Sequence, residues 1–241
     1  MKAGAEIYRV EDTITRICKA CGIDYVDVFA MPTGIFVTVD KGVEEDDTYT
    51  YIRRIKSSET DLNKISRVND FSRTFTTTDM SVEEGMEVLN EIEKEKKYPI
   101  ALRVVCASTA AACFSVLFGG TAIDFMITFL IGAVCYAFSR ILAHADVNFF
   151  IHGLCCCALA AFFALVASAS IAGAHYGMII AGCLMLFVPG VPITNSIRDF
   201  LSGDMVSGLG RMAEAFLTAV SLAAGAGIVI KLWDMLGGIS L

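Results

Sequence analysis

The long apolar runs after Pro99 constrain the fold of this chain more than any other feature. Residues 100–241 carry 5 Lys and Arg and 6 Asp and Glu, whereas residues 1–99 carry 14 and 20. About 17–25 apolar residues can cross a bilayer as one helix. We therefore expect an α-helical polytopic membrane bundle over residues 100–241, surrounded by the lipid bilayer. The runs predict about five transmembrane helices, roughly Ile100–Phe118, Thr121–Ser139, Val147–Ala169, Ala174–Val188 and Gly210–Leu232.

The charged residues before Pro99 predict a small α+β domain over residues 1–99. Apolar side chains at helical spacing predict a helix over residues 3–21. Two β-rich runs, Tyr25–Met31 and Gly34–Asp40, flank a short turn and predict a hairpin. Further along, the pattern predicts a third strand over Thr48–Ile55 and a helix over Asp61–Phe75. A second helix is predicted to begin at Ser81, where Ser81 and Glu84 form a capping box.

The positions of Lys and Arg predict the orientation in the membrane, because cytoplasmic loops are enriched in them. The loops at residues 119–120 and 171–175 carry neither. We expect residues 1–99 in the cytoplasm and Leu241 outside. The cations that set this orientation are Lys94, Lys96, Lys97, Arg103, Arg140, Arg198 and Arg211.

Neither a nucleic-acid partner nor a cofactor is expected. The net charge of −7 disfavours nucleic acid. Most of the nine cysteines lie in apolar spans, where cysteine behaves as a small hydrophobic residue. The remaining pair, Cys18 and Cys21, is weak support for a metal site because a single CxxC lacks further ligands.

A break in the apolar pattern at PGVP is typical of a transporter site, because interrupted helices often line one. Pro192 suits the first turn of a short helix that runs through Arg198. Arg198 is a permanent cation that can bind a carboxylate with two parallel hydrogen bonds. The alternative is a plain cytoplasmic loop in which Arg198 pairs with Asp199 or lipid phosphate. The candidate substrate-binding residues of this element are Pro189, Gly190, Pro192, Thr194, Asn195, Arg198 and Asp199.

A ladder of polar residues then continues into the last span. Its steps of three and four keep every member on one helix face, and such a face must meet protein, water or substrate rather than lipid. Asp204 could serve only as an N-cap, and Arg211 could simply pair with Glu214. The upper members are more typical of helix packing. The ladder comprises Asp204, Ser207, Arg211, Glu214, Thr218, Ser221 and Gly225, of which Asp204, Ser207 and Arg211 join the candidate substrate site.

Four residues are candidates for proton coupling: Asp124, His152, Asp204 and Glu214. Asp124 begins a polar face on the second span, and it could equally be an interfacial carboxylate. His152 belongs to a group that could relay protons or form a loop network, together with His144, Asp146 and Asn148. The charges of the first helix are more typical of a solvated surface than of acid–base chemistry: Glu6, Arg9, Glu11 and Asp12.

Two segments, GAEIYRVEDTITRI and PGVPITNSIRDFLSGDMVSGLGRMAEA, closely resemble the threonine/serine exporter family, in the form of its larger, N-terminal half. The resemblance implies a cytoplasmic domain, about five spans, and export of small amino acids or succinate-like dicarboxylates. It also implies a separate small membrane subunit and a location in a bacterial plasma (inner) membrane. The matching positions are Arg9, Glu11, Pro189, Gly190, Pro192, Asn195, Arg198, Asp199, Gly203, Asp204, Gly208 and Arg211.

The leading hypothesis is therefore a proton-coupled exporter subunit for a small carboxylate-bearing molecule, rather than an enzyme. An odd number of spans without an internal repeat requires a partner subunit or a homo-oligomer to complete the pathway. The alternatives are a membrane-anchored hydrolase and a sensory or scaffold protein that acts through the soluble domain. The hydrolase is disfavoured because no histidine precedes His144.

Overall fold

A computed structural model describes residues 1–40, 48–56, 59–95, 98–145 and 147–237. The chain forms two compact units, each assembled from two separate stretches of sequence. The mixed unit comprises Met1–Lys96 and Gly190–Glu214, and the helical unit comprises Lys97–Pro189 and Ala215–Leu241. In chain order the elements are α1 (Ile7–Ala20), β1 (Tyr25–Met31), β2 (Gly34–Asp40), β3 (Thr48–Arg54), α2 (Leu62–Thr77), α3 (Val82–Lys94), α4 (Ile100–Leu117), α5 (Ala122–His144), α6 (Phe149–Ser170), α7 (Tyr176–Leu184), α8 (Gly190–Leu201) and α9 (Met205–Met235).

The sheet of the mixed unit is antiparallel, with strand order β1-β2-β3. Met31 pairs with Gly34, so Pro32 and Thr33 form a two-residue turn between β1 and β2. This pairing confirms the predicted hairpin. The hairpin is predictable because the turn and both β-rich runs lie within one short stretch of sequence. The register of β2 with β3 extends from Gly34↔Arg54 to Asp40↔Thr48.

Helices α1, α2 and α3 share an apolar core around Phe71, Phe75 and Ile92. The predicted capping box is confirmed, since Ser81 Oγ accepts from Glu84 N and Glu84 Oε2 accepts from Ser81 N. Gly85 lets α3 approach α2 closely, because a Cβ atom there would lie 2.9 Å from the Phe75 ring. Local capping and helix-spaced apolar residues therefore account for this part of the fold.

The first helix starts later than the sequence predicts. It begins at Ile7 instead of residue 3. Gly4 has a φ of 81°, a left-handed conformation that suits glycine and cannot continue a right-handed helix. Residues Gly4 to Ile7 make hydrogen bonds to α8 and α9 in place of helical ones. Tertiary contacts thus override the local helical pattern here.

Four helices in the described part of the chain are long and apolar enough to cross a membrane: α4, α5, α6 and α9. They match the first, second, third and fifth predicted spans, although α9 starts five residues before Gly210. Four of the five predicted spans therefore contain a helix long enough to cross a membrane. The predicted span Ala174–Val188 contains only the nine-residue α7, which is about 13.5 Å long at 1.5 Å per residue.

The helical unit buries small side chains and exposes large apolar ones. Its core contains Cys135, Cys157, Ala161 and Ile179, all fully buried. On its outer surface, Leu117, Leu130 and Phe216 are 74%, 64% and 65% exposed. So much exposed apolar surface would be unfavourable in water and suits a bilayer. The chain is therefore a multi-pass membrane protein.

Helices α6 and α9 approach each other closely through glycines. A Cβ atom at Gly225 would collide with the carbonyl oxygen of Leu154 and would lie 3.1 Å from the nitrogen of Ala158. A Cβ atom at Gly153 would likewise collide with the hydroxyl oxygen of Ser221. Ser221 and Gly225 of the polar ladder therefore lie where α9 packs against α6, as their small size predicts.

Candidate functional site

Helices α8 and α9 hold the segment that precedes α1 by its backbone. Asn195 Nδ2 donates to the carbonyl oxygen of Gly4 at 2.9 Å. Arg211 Nη2 donates to the carbonyl oxygen of Ala5 at 2.8 Å. Asn195 and Arg211 are 7% and 8% exposed. Two residues of the candidate substrate site are thus committed to fixing the N-terminal segment within the mixed unit.

Asp199 links the same segment to a buried ion pair. Its Oδ1 accepts from the backbone N–H of Ile7 at 3.3 Å, and its Oδ2 lies 3.2 Å from Arg211 Nε. Oδ2 has no partner in hydrogen-bond geometry, so its contact with Arg211 is an ion pair without a well-formed hydrogen bond. Burial raises the pKa of Asp199 despite the opposing effect of the Arg211 cation. The contact is therefore sensitive to protonation.

Arg198 is paired with Glu6, which neither sequence reading of this arginine anticipates. Its Nη1 donates to Glu6 Oε1. Glu6 Oε2 also lies 3.2 Å from Arg9 Nε, so two guanidinium groups share one carboxylate. The Arg198 side chain is 48% exposed, whereas that of Glu6 is 10% exposed. Arg198 is therefore a carboxylate-binding arginine that is also accessible from solvent.

A cavity of about 260 Å³ lies in the mixed unit beside these contacts. Arg211 and Lys56 contribute cationic groups to its wall, and Glu214 contributes a carboxylate. Hydroxyl and amide groups line the rest of its polar surface. Its remaining walls come from the segment before α1, the hairpin turn, the connection between β3 and α2, and α8: Met1, Gly4, Pro32, Thr33, Ile55, Thr60, Val191, Pro192 and Asn195.

The other candidate residues of α8 and α9 have mainly local contacts. Thr194 Oγ1 donates to the carbonyl oxygen of Gly190 within α8. Ser207 is 3% exposed. Asp204 is half-buried, and its backbone carbonyl oxygen accepts from Gly208 N at the start of α9. Pro189 lies in the helical unit, one residue before α8 starts.

Glu11 is a site residue whose role the sequence leaves open. Its Oε1 accepts from the backbone N–H of Ala30 at 2.9 Å, which ties α1 to β1. Burial raises the pKa of Glu11, and the negative charge of Asp204 adds to the effect. The helical spacing of Glu6, Arg9 and Glu11 gives no sign of their partners. Asp12, by contrast, makes an exposed pair with Arg16, as a solvated surface predicts.

Asp124 is the most fully hydrogen-bonded carboxylate of the helical unit among the described residues. It accepts from Thr121 N and Oγ1 at 2.7 and 2.9 Å, and from His175 N and Nδ1 at 2.7 and 3.0 Å. Its side chain is 0% exposed, whereas the His175 side chain is 58% exposed. Asp124 therefore caps α5 and binds the residue that precedes α7, instead of extending toward the membrane surface.

The imidazole ring of His152 contacts the end of α5. Its Nε2 lies 3.0 Å from Ser139 Oγ and 3.3 Å from the Ser139 carbonyl oxygen. Asn148 caps α6 by accepting from Phe150 N. Asp146 lies outside the described residues. The structure thus brings His152 to Ser139, while Asp204 and Glu214 belong to the mixed unit.

Most of the polar ladder on α9 faces protein. Ser207, Arg211, Ser221 and Gly225 are buried, Asp204 and Thr218 are half-buried, and Glu214 is exposed. The expectation that this face avoids lipid therefore agrees with the structure at the buried positions.

Four helices among the described residues that are long and apolar enough to cross a membrane, in a unit that also buries polar contacts such as Asp124 with His175, are typical of a membrane transporter. A family model described as threonine/serine exporter matches residues 1–233. The chain belongs to the threonine/serine exporter family.

Three curated relatives agree with this assignment. The chain is 22% identical to the "Probable succinate transporter subunit YjjP" of Klebsiella aerogenes, over 98% of this chain and 91% of the relative. It is 21% identical to the protein of the same name from Escherichia coli (strain K12), with the same coverage. It is 24% identical to a "Probable threonine/serine exporter" of Mycobacterium tuberculosis, over 79% of this chain and 35% of that relative. No solved structure matches the chain.

Proposed function

We propose that this chain is one subunit of a secondary exporter for a small carboxylate-bearing molecule, either threonine or serine or a succinate-like dicarboxylate. Family membership supports transport over the hydrolase and scaffold alternatives. The names of the two relatives that the chain spans almost fully favour a succinate transporter subunit. The mycobacterial relative favours an amino acid.

The observation that carries the proposal is the geometry of Arg198. This arginine already binds a carboxylate, that of Glu6, and its side chain is 48% exposed. A guanidinium group that fits one carboxylate fits another of the same geometry. We therefore assign the substrate carboxylate to Arg198, in the segment where the sequence places the substrate site. Asn195, Asp199 and Arg211 hold the surrounding backbone in position.

The remaining candidate residues have supporting roles in this proposal. Pro192 and Asn195 line the cavity, and Thr194 and Ser207 add hydroxyl groups near α8 and at the start of α9. Pro189 and Gly190 mark the point where the chain leaves the helical unit and α8 begins. Asp204 contributes negative charge near Glu11 and Asp199.

We propose a topology with five crossings, because two separate stretches of the chain form the mixed unit. Residues 1–96 and 190–214 form one compact unit, so we place both in the cytoplasm. The crossings by α4, α5 and α6 bring the chain to the outside, and it must return between residues 171 and 189. In this proposal the whole stretch of residues 171–189 makes the fourth crossing, and α7 with the turn after it forms only part of that crossing. Backbone donors of that turn are satisfied at Leu186, Phe187 and Val188, as a membrane interior requires.

The last crossing then places the C-terminus outside. Residues 215–235 of α9 are about 31 Å long as a helix, enough for the hydrocarbon core of a bilayer. The relatives' bacterial sources support the bacterial inner membrane as the location.

In this proposal the proton gradient drives export. Of the four candidates for proton coupling, Asp124 has the geometry best suited to taking up and releasing a proton. The buried Asp124 carboxylate contacts an exposed imidazole, that of His175. Histidine changes charge near physiological pH and can pass protons between water and a carboxylate. His152, Asp204 and Glu214 remain candidates for the rest of the proton path.

A separate small membrane subunit of the same family completes the transporter in this proposal. The word "subunit" in the names of two relatives supports a partner. A homo-oligomer is the alternative way to complete the pathway.

Transport in vesicles tests the proposal. Efflux of labelled succinate and of labelled threonine is measured from vesicles that contain this chain, with and without a co-expressed small subunit of the family. We expect efflux of one of the two solutes only when both subunits are present. Full transport by this chain purified alone would contradict the two-subunit assembly, and transport of neither solute with both subunits would contradict the substrate class.

A further inference from the structure

We propose that Glu6 is an internal carboxylate that occupies Arg198 in the substrate-free protein, and that a substrate carboxylate must displace it. The inference rests on the proposed function, because it takes Arg198 as the substrate contact. It adds a specificity-determining residue, Glu6, which lies 192 positions away from Arg198 in the sequence.

The accessibility of the two side chains allows this exchange. The Glu6 side chain is 10% exposed, whereas that of Arg198 is 48% exposed. A guanidinium group carries five N–H donors in one plane. An incoming carboxylate can therefore contact the exposed part of Arg198 before Glu6 has left. Neither charge then has to lose its partner completely during the exchange, which keeps the cost of the intermediate low.

Arg9 provides the position to which Glu6 moves. Its Nε lies 3.2 Å from Glu6 Oε2, one helical turn along α1. Once Arg198 has turned to the substrate, Glu6 keeps this second cation. The displaced carboxylate therefore stays paired, and a modest gain from substrate binding is enough to drive the exchange.

The backbone on either side of Glu6 stays in place, so the exchange is a movement of its side chain. The carbonyl oxygen of Ala5 accepts from Arg211, and the N–H of Ile7 donates to Asp199. Both partners lie on α8 or α9. These two hydrogen bonds position the Glu6 side chain at Arg198 and return it there after the substrate has left.

The inference favours ligands that bind Arg198 more tightly than the Glu6 carboxylate does. A solute with a single carboxylate and no other polar contact would replace Glu6 without net gain. A dicarboxylate or a hydroxylated amino acid brings a second polar group, which can form contacts that Glu6 does not make. Competition with Glu6 thus selects polar small carboxylates over simple fatty acids.

Transport kinetics of Glu6 variants test the inference. Initial rates are measured against the concentration of labelled succinate and of labelled threonine, in vesicles with both subunits. Glu6→Gln removes the competing charge, and we expect KM to fall by about fivefold, the upper end for partly exposed ion pairs. Glu6→Asp keeps the charge on a shorter side chain and should lower KM less. The matched control is Asp12→Asn, which breaks an exposed ion pair of the same helix and should leave KM unchanged.

The outcomes separate this inference from the proposed function. If Arg198→Gln nearly abolishes transport while Glu6→Gln leaves KM unchanged, Glu6 is a structural partner only and the inference is overturned. If Arg198→Gln transports at the wild-type rate, the substrate contact itself is misplaced. Should Glu6→Gln fail to accumulate in the membrane, an unchanged KM in Glu6→Asp overturns the inference instead. The double variant Glu6→Arg, Arg198→Glu restores the ion pair but should not transport, and wild-type transport by it would also contradict the exchange.

Discussion

Replacing Arg211 with glutamine should destabilise the protein strongly at neutral pH and much less in acid. Asp199 is 0% and Arg211 10% exposed at the side chain, so the substitution leaves a buried carboxylate without its cation. Removing one partner of a buried ion pair costs about 3–5 kcal/mol. For a chain of this size, that free energy corresponds to a fall of about 6–20 °C in the midpoint of thermal unfolding.

The pH dependence of this effect follows from Asp199. Burial raises its folded-state pKa above that of the unfolded chain, and loss of the Arg211 cation should raise it further. A raised carboxyl pKa contributes stability that is present at low pH and is lost as the pH rises through the folded-state pKa. The variant should therefore be less destabilised at pH 5 than at pH 7.5, because protonation of Asp199 increases as the pH falls.

Thermal unfolding of the purified protein in detergent, followed by circular dichroism at the two pH values, measures this effect. The double variant Arg211→Gln, Asp199→Asn removes the unpaired charge while keeping an acceptor for Ile7, so it should be more stable than the single variant at pH 7.5. Arg16→Gln is the control, because its exposed pair with Asp12 contributes at most about 0.5 kcal/mol. An equal loss of stability in Arg211→Gln at both pH values, with no rescue by Asp199→Asn, would refute the reasoning.

Three further predictions address the helical unit and the topology. Gly225→Ala should lower the free energy of unfolding by about 1–3 kcal/mol, because its new methyl group meets the α6 backbone. Gly227→Ala on the same helix meets nothing within 4 Å and should be neutral or slightly stabilising. Thermal aggregation in detergent compares the two variants, and equal midpoints would contradict the close approach of α6 and α9. Asp124→Asn should abolish proton-driven efflux while His175→Gln slows it and changes its pH profile, and vesicle efflux at several external pH values would contradict this assignment if both variants matched the wild type. A reporter fused after Leu241 should be active outside the cytoplasm; activity of a reporter that works only inside would refute the five crossings.

Much of the fold can be predicted from local sequence. The β1–β2 hairpin, the capping box at Ser81 and the first three membrane helices depend on residues within one short segment. Their signals are turn residues, helix caps and long apolar runs. The short α7 escapes such reasoning, because an apolar run of span length gives no sign that the helix within it ends at Leu184.

The contacts of the candidate site cannot be read from local patterns. Arg198 is recognisable as a carboxylate-binding residue, but its partner Glu6 is 192 residues away. Ala5 and Arg211 are separated by 206 residues. The helical pattern before Ile7 even predicts the wrong conformation, because the hydrogen bonds of this segment go to α8 and α9. Resemblance to a family can mark Arg9, Asp199 and Arg211 as motif positions, but only the folded chain pairs each with its partner.

Transport by Arg198 variants tests the central claim most directly. Efflux of labelled succinate and threonine is measured with both subunits present and normalised to the protein inserted in the membrane. Arg198→Lys keeps the charge but loses the planar guanidinium group, so it should retain partial activity. Arg198→Gln should nearly abolish efflux, since a charge-assisted contact of about 1.5–3 kcal/mol is worth roughly 10- to 150-fold in affinity. Ser221→Ala, whose hydroxyl donates to the Thr218 carbonyl oxygen within α9, should cost far less. Wild-type efflux by Arg198→Gln together with a strong loss in Ser221→Ala would contradict the claim that Arg198 binds the substrate.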